Sequence, residues 1–159
     1  MTFLAMKYQN SNQVKRRDLY LEKVNIQNQD HINDLYKFIC LMKFPISNIK
    51  KPSLAEHLEF VKKNPYREWF IVKKNSEKIG TLYLIFENSI GLNLISDNIN
   101  DYKEAIIFIL SKYKPTNQKK SVYSSSFHVN INPSNTLLEK ALIELDSSFV
   151  QKTYLLKLI

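Results

Sequence analysis

The chain contains very little glycine. Gly80 and Gly91 are the two glycines among its 159 residues, whereas average usage of about 7% would give roughly eleven. No glycine-rich phosphate-binding loop of the P-loop type is present in the sequence. Both glycines fall within residues 67–96, a stretch in which strand-forming residues are frequent.

Cysteine and long apolar runs are also scarce. Cys40 is the single cysteine, so no internal disulfide and no cysteine spacing typical of a metal site exist. It lies on the apolar side of a predicted helix, which favours a packing role. No apolar run approaches the roughly 18 residues of a membrane span, and residues 1–8 are too short for a signal peptide. We expect a cytoplasmic protein with no membrane partner and no metal.

The net charge is strongly positive. There are 23 Lys and Arg against 15 Asp and Glu, a formal net charge of +8. This charge suits an anionic partner such as coenzyme A, a nucleotide-sugar, a nucleic acid or a membrane surface. The chain is rich in Lys, Asn and Ile together, as AT-rich coding sequences produce, so a solvated basic surface is the simpler interpretation. No nucleic-acid-binding module is recognisable, which disfavours a nucleic-acid partner.

Periodicity predicts one domain of mixed helices and strands. Residues 1–17 lack periodicity and are predicted to form a tail, and residues 18–159 are predicted to form the domain. Apolar residues at helical spacing predict helices over 28–43, 53–63, 101–114 and from Asn135 onward. Alternation predicts strands over 18–24, 68–74, 79–86, 90–95, 121–131 and 149–158. The order β-α-α-β-β-β-α-β-α-β indicates an α/β fold of the α+β sandwich type, with helices on both faces of a mixed, mostly antiparallel central sheet.

Several motifs occur in an order that resembles a known family. The segment Ser53-Leu-Ala-Glu-His57 precedes the strand Trp69–Val72 and the turn into Lys78-Ile-Gly80. Ile90-Gly-Leu92 and Asn132-Pro-Ser-Asn135 follow. Over residues 18–159 this series resembles the GNAT-type N-acetyltransferases. Within that family it is most similar to the enzymes that act on amino-sugar nucleotides, such as those of the pseudaminic-acid pathway.

The resemblance implies acetyl-CoA as the acyl donor, bound where the fourth and fifth strands splay apart. In the family the pantetheine arm pairs with fourth-strand backbone, here that of Leu94 and Ile95. The pyrophosphate lies on amides at the start of the next helix, which corresponds to Asn98, Ile99, Asn100, Asp101 and Tyr102. Asn135, in the Pro-x-Asn step, is a further implied cofactor contact.

This sequence departs from the family at the pyrophosphate loop. The usual loop is Arg/Gln-x-x-Gly-x-Gly/Ala, and here Asn98 and Asn100 fall on glycine positions. Asparagine is the non-glycine residue that best tolerates positive φ, so one interpretation keeps a nest of N–H donors. Asp97 and Asp101 would place negative charge beside the phosphates, and Tyr102 replaces a small residue. The other interpretation is a capped helix start that binds no phosphate.

The transfer chemistry needs a proton acceptor, an oxyanion donor and often an acid for the leaving thiolate. His128, on the polar face of the fifth strand, and Asn93, on the fourth, are candidates for the first role. The family's tyrosine acid would align near Leu142 and is absent, so Tyr154 and Tyr123 are candidate substitutes, although a core or sheet-face aromatic is the simpler interpretation of both.

Substrate contacts are predicted elsewhere. His57 and Glu87 are candidates, although a packed, hydrogen-bonded role is the simpler interpretation of His57. His31 is predicted to lie on the surface at a helix start.

The sequence thus predicts an N-acetyltransferase that moves an acetyl group from acetyl-CoA to a primary amine, with an amino-sugar nucleotide as the implied acceptor. One alternative is a catalytically inactive GNAT-fold module that serves binding or assembly. A weaker alternative is a polyanion-binding protein. A homodimer is an expectation by analogy with the fold alone.

Overall fold

The computed structural model describes residues 18–46, 50–116 and 126–154. Over these residues the chain forms an α+β fold with four helices and a five-stranded mixed sheet. The strands are β1 (Leu19–Lys23), β2 (Glu68–Lys74), β3 (Glu77–Leu84), β4 (Ser89–Leu94) and β5 (His128–Val129). The helices are α1 (Gln29–Leu41), α2 (Leu54–Lys63), α3 (Ile99–Lys112) and α4 (Thr136–Glu144). The predicted tail, residues 1–17, lies outside the described residues.

The sheet has the order β1-β2-β3-β4-β5. The first four strands pair antiparallel, and β5 pairs parallel to β4. A parallel pair needs a crossover connection, and α3 lies within the connection that runs from β4 to β5. The β4–β5 pairing covers Ser89 with His128 and Ile90 with Val129. Beyond Ile90, β4 continues to Leu94 without a strand on that side in the described part of the chain.

Alternation along each strand sends side chains to two separate cores. Phe70 and Val72 of β2 pack with α3 and α4, whereas Trp69 and Ile71 pack with α1 and α2. The predicted α+β class with helices on both faces of a mostly antiparallel sheet therefore agrees with the structure. In the described ranges no helix has the length and apolar character required to cross a bilayer.

The start of α2 follows its sequence signature. The amide of Ser53 donates to Glu56 Oε2 over 2.7 Å, and the amide of Glu56 donates to Ser53 Oγ over 3.3 Å. This reciprocal capping box satisfies two amides that the helix itself cannot pair. The predicted capping box is confirmed.

Both glycines lie where the sheet has no space for a side chain. A Cβ at Gly80 would lie 2.2 Å from the carbonyl oxygen of Asn93 on β4. A Cβ at Gly91 would lie 1.9 Å from Cζ of Tyr83 on β3. Tyr83 in turn stacks on Tyr66, with ring centroids 4.2 Å apart. Both glycines thus lie at positions where strand packing excludes a side chain.

Two predicted strands differ from the structure. The one over residues 121–131 is a strand only at His128–Val129 among its described residues, and 121–125 lie outside them. The final strand was predicted over 149–158. That prediction is wrong for residues 149–154, which have no regular structure, and residues 155–159 lie outside the described ranges. Alternation indicates which residues suit a sheet, but a strand forms only where a ladder partner is available, and β5 offers a short edge.

Two side chains, those of Cys40 and His31, are partly buried. Cys40 is half-buried. His31 was predicted to lie on the surface, and this is wrong, since its side chain is 12% exposed. Its Nδ1 accepts a hydrogen bond from the amide of Asn25 over 2.9 Å, which holds the ring against the loop before α1.

We predict that Gly80→Ala destabilises the fold by about 2 kcal/mol or more, because the new methyl group meets backbone that cannot rotate away. Urea unfolding followed by circular dichroism measures the change. Lys140→Ala, an exposed change on α4, is the control and should stay within about 0.5 kcal/mol of the parent. A Gly80→Ala variant as stable as this control would contradict the packing argument.

Candidate functional site

A small cavity opens where the end of β4 meets the starts of α3 and α4. Its volume is about 130 Å³. Its walls come from the segment after α1, the segment after β4 and the first turn of α4: Lys43, Phe44, Leu94, Ser96, Asp97, Tyr102, Asn135, Thr136 and Leu137. Three of the residues implied by the family resemblance as cofactor contacts, Leu94, Tyr102 and Asn135, are among them.

The backbone of β4 faces this region with its unpaired side. Two hydrogen bonds fix the pairing of β4 with the β3 side. The Ile85 amide donates to the Ser89 carbonyl over 3.0 Å, and the Ile95 amide donates to the Ile79 carbonyl over 2.9 Å. Hydrogen-bonded pairs alternate along an antiparallel ladder, so the N–H and C=O groups of Leu92 and Leu94 point away from β3. The amide of Ile95 is thus engaged within the sheet, whereas Leu92 and Leu94 point to the gap beside β5.

The start of α3 is capped by its own side chains. Asn98 is the N-cap residue, with φ −98° and ψ 116°, and its Oδ1 accepts from the amide of Asn100 over 3.0 Å. The amide of Asn98 donates to Ser96 Oγ over 3.1 Å, and that of Asp101 donates to the Asn98 carbonyl over 3.1 Å. Neither Asn98 nor Asn100 has positive φ. The expected nest of N–H donors is therefore absent from this described segment, and the capped-helix interpretation fits its geometry.

A buried carboxylate lies directly behind this cap. Asp101 is 3% exposed. Lys74 of β2 donates to both its oxygens, over 2.8 and 3.1 Å, and the Ser96 hydroxyl donates to one of them. The hydrogen bond to Asp101 is the main cause that raises the pKa of Lys74, which therefore stays charged at neutral pH. The Asp101 carboxylate thus supplies, from within the protein, the negative charge that the helix dipole favours at the start of α3.

Tyr102 closes the end of β4. Its ring is buried, and its hydroxyl lies 3.3 Å from the Leu94 carbonyl and 3.1 Å from the Ser96 carbonyl, to which it donates. Burial, followed by the nearby charges of Asp97 and Asp101, raises the pKa of Tyr102. A phenol held neutral in this way is a donor to backbone and is poorly placed to give its proton to a leaving group.

The start of α4 forms the opposite wall. Asn135 is its N-cap and accepts from the amide of Leu138 over 3.2 Å. The amides of Thr136 and Leu137 precede the first intrahelical bonds, and no acceptor for them occurs in the described parts of the chain. Just before this helix, Asn132 Nδ2 donates to the Pro45 carbonyl over 2.7 Å, which holds the segment after α1 beside the cavity.

The resemblance implies acetyl-CoA as the donor, and this region suits its pantetheine half but not its pyrophosphate. The Leu92 backbone groups and the Leu94 amide, on the side of β4 away from β3, match the hydrogen-bonding needs of a pantetheine arm, while the Leu94 carbonyl already accepts from Tyr102. The pyrophosphate would meet amides at the α3 start that already have acceptors, next to the carboxylates of Asp97 and Asp101. The cavity is also smaller than the roughly 300–1,000 Å³ of most ligand pockets.

The other catalytic candidates lie away from the cavity wall. His128 pairs with Ser89 at the opposite end of β4, roughly 16 Å along the strand from Leu94 at about 3.3 Å per residue. Burial lowers the pKa of His128, and a hydrogen bond with Ser126 backbone partly opposes this. Asn93 faces α1, where its Nδ2 donates to the Phe38 carbonyl over 2.8 Å. Tyr154 is 71% exposed in the C-terminal segment, and Tyr123 lies outside the described residues.

The two candidate substrate residues are also remote from the cavity lining. Glu87 is exposed in the β3–β4 turn. His57 is 1% exposed between α1 and α2, and its Nε2 donates to the Ile32 carbonyl over 3.2 Å. Its Nδ1 is buried without a hydrogen-bond partner. The packed, hydrogen-bonded histidine is therefore what the structure contains. Elsewhere in the described ranges, no group of three or more His, Cys, Asp or Glu is arranged to hold a metal ion.

Sequence patterns did not single out Lys43 and Phe44, which line the cavity from the segment after α1. They follow a helix without any motif, and only the tertiary fold brings them to the end of β4. Asp97 was noted for its charge alone. It is the one carboxylate among the lining residues, and it is exposed at the cavity wall.

We predict that Lys74→Met destabilises the protein by about 1–3 kcal/mol, since it leaves Asp101 charged and unpaired at a buried site while Lys74 itself is partly exposed. Chemical denaturation measures the loss. The double variant Lys74→Met/Asp101→Asn should be more stable than Lys74→Met alone, because no buried charge remains. Equal stabilities of the two would contradict a buried ion pair at this position.

We predict that His57 makes the fold less stable in mild acid. Burial lowers the pKa of His57, and the Ile32 hydrogen bond only partly opposes this. The folded state therefore binds its proton less readily than the unfolded state, so stability is full above the ordinary pKa of about 6.5 and is lost as the pH falls below it. Urea midpoints at pH 7.5 and 5.0 should differ less in His57→Phe than in the parent. Identical pH dependence in both proteins would contradict the prediction.

No family model matches the chain, and no curated protein matches it. The function is therefore argued from the residues and geometry of the site.

Proposed function

We propose that this protein is an N-acyltransferase of the GNAT type that moves an acetyl group from a thioester donor such as acetyl-CoA to a primary amine. One observation carries the proposal. Among the described residues β4 and β5 pair in parallel over two residues, and beyond them the side of the β4 backbone that faces away from β3 continues to Leu94, which lines a cavity between the starts of α3 and α4. There the Leu94 carbonyl accepts from Tyr102, and the Leu94 amide and the backbone groups of Leu92 are left for a ligand or solvent. This arrangement supports binding of an extended amide-containing arm along β4, as a further strand would bind.

Residues of this cavity can supply the chemistry. The amine nitrogen attacks the thioester carbonyl, the C–N bond forms, the C–S bond breaks, and the proton leaves the amine for the departing thiolate. In this proposal Asp97, the carboxylate on the cavity wall, accepts the proton from the amine and passes it to the departing thiolate. Backbone N–H groups on the open side of β4 are the donors to the oxyanion.

The acceptor follows from the resemblance, which implies an amino-sugar nucleotide. The net charge of +8 and the presence of Lys43 on the cavity wall support an acceptor that carries phosphate. These features favour an anionic amine over a neutral one and do not select a sugar.

The second candidate is a GNAT-like module without catalysis that serves binding or assembly. Its support is the Tyr102 hydroxyl, which donates to the Leu94 carbonyl at the place where a pantetheine amide would bind. The capped and acidic start of α3 points in the same direction. Both candidates use the same fold, and they differ in whether a thioester binds.

The proposed activity predicts that acetyl-CoA binds and that free thiol appears when a suitable amine is present. Calorimetry measures the binding, and a thiol-reactive dye measures release across a panel of amino-sugar nucleotides and simple amines. Thr136→Trp fills the cavity from its exposed rim and should lower release at least about tenfold. Lys140→Trp, an equally bulky change on the exposed face of α4, should leave release within about twofold.

Asp97→Asn tests the proton acceptor. We expect kcat to fall with KM little changed, and the rate to lose its dependence on an ionised carboxylate at low pH. Binding without thiol release from any amine would favour the inactive module. No binding at millimolar acetyl-CoA would exclude acetyl-CoA as the donor.

A further inference from the structure

The start of α3 differs from a phosphate site because its backbone amides already donate hydrogen bonds within the chain. An anion binds a helix N-terminus through the N–H groups that the helix leaves unpaired. Here the amides of Asn98, Asn100 and Asp101 already donate to Ser96 Oγ, Asn98 Oδ1 and the Asn98 carbonyl. A pyrophosphate would have to displace these bonds, which are local and so re-form at once when it leaves.

The charges at this helix start oppose a second anion. Asp101 adds a buried negative charge in the first turn of α3, and both its carboxylate oxygens accept from Lys74. Asp97 adds an exposed negative charge on the same turn. A nucleotide diphosphate at this position would meet repulsion where a phosphate site offers attraction.

The open side of β4 has the opposite character. In the described part of the chain no strand lies beside Leu92 and Leu94, so the Leu92 backbone groups and the Leu94 amide face away from β3, while the Leu94 carbonyl accepts from Tyr102. The cavity lining near Leu94 includes the apolar side chains of Phe44 and Leu137. A pantetheine arm carries two amides on a slender chain, which suits such a strand edge. The cavity of about 130 Å³ has the scale of the thioester end of a donor and falls well below that of most nucleotide-sized pockets.

We propose that the acyl donor is recognised through its pantetheine arm alone, so that a pantetheine thioester without a nucleotide serves as well as acetyl-CoA. This inference rests on the proposed function. Such a thioester has two sources, a free pantetheine or phosphopantetheine thioester and the same arm attached to an acidic carrier protein. The net charge of +8 suits the carrier protein.

The test compares donors on the full chain, with the best amine of the panel held constant. The donors are acetyl-CoA, S-acetylpantetheine, S-acetyl-4′-phosphopantetheine and an acetylated carrier protein. We expect kcat/KM for the first three to agree within about threefold. Adenosine 3′,5′-bisphosphate, the nucleotide half of coenzyme A, should neither inhibit nor release heat on titration. A preference for acetyl-CoA over S-acetylpantetheine of about thirtyfold or more, or competition by the bisphosphate, would overturn the inference while leaving acyl transfer intact.

The reaction with the acetylated carrier protein distinguishes the two sources of the thioester. A kcat/KM above that of the free phosphopantetheine thioester, falling steeply with salt, assigns the donor to a carrier protein. Equal values assign it to the small thioester, and either result supports recognition by the arm. Transfer from none of the four donors would overturn both this inference and the proposed function.

A triple variant reports on the α3 start directly. Asp97→Asn/Asn98→Gly/Asn100→Gly removes the capping side chain and the exposed negative charge beside it, so binding of the bisphosphate should become measurable in calorimetry. Glycine at an N-cap costs little stability, so the variant is expected to fold. Asn75→Gly, in the β2–β3 turn with φ 47°, is the matched control and should leave nucleotide binding absent. Bisphosphate binding in the control or the parent would contradict the argument from capping.

Discussion

The ion pair between Asp101 and Lys74 holds the first turn of α3 against the sheet, and the geometry of the candidate site depends on it. Asp101 is nearly inaccessible to solvent, so its charge is tolerable only with a cation and hydrogen-bond donors in place. Lys74 reaches it from β2, and Ser96 reaches it from the segment after β4. Tyr102 follows in the chain and is thereby positioned over the end of β4. One buried charge thus fixes a helix, a strand end and one wall of the cavity.

The site itself arises from a mismatch between two neighbouring strands. β5 pairs with β4 at Ser89 and Ile90 and then leaves it, while β4 continues to Leu94. Antiparallel pairing with β3 uses alternate backbone groups of β4, so the other set faces the gap. Open backbone on a central strand is uncommon in a finished sheet because unpaired polar groups are costly when buried. The Tyr102 hydroxyl satisfies the Leu94 carbonyl, and solvent or a ligand has to satisfy the Leu94 amide and the Leu92 backbone groups, which is the physical argument for proposing a binding site there.

Local sequence patterns predicted much of the fold. The capping box at Ser53 and Glu56, the helical spacing of α1 and α3 and the meander of β2, β3 and β4 all depend on residues close in sequence. Prediction was wrong for the C-terminal strand over residues 149–154, since alternation says nothing about whether a partner edge is available. It was also wrong for His31, which a hydrogen bond to the Asn25 amide keeps largely covered. Leu94, Tyr102 and Asn135 line the cavity, and their role as cofactor contacts stays a prediction, whereas Lys43 and Phe44 reach the cavity from a segment without any motif.

The sequence by itself determined that the two glycines lie in the predicted sheet and that asparagines and aspartates, with no glycine, stand at the start of α3. It left open whether those asparagines would adopt positive φ or cap the helix. Only the tertiary structure decided this, because the answer depends on Lys74 and Ser96 meeting Asp101 and on Tyr102 packing beneath β4. Side-chain periodicity is a local property of the chain. The pairing of charges and of backbone groups is set by contacts between residues far apart in sequence, and it is those contacts that make a site open or closed to phosphate.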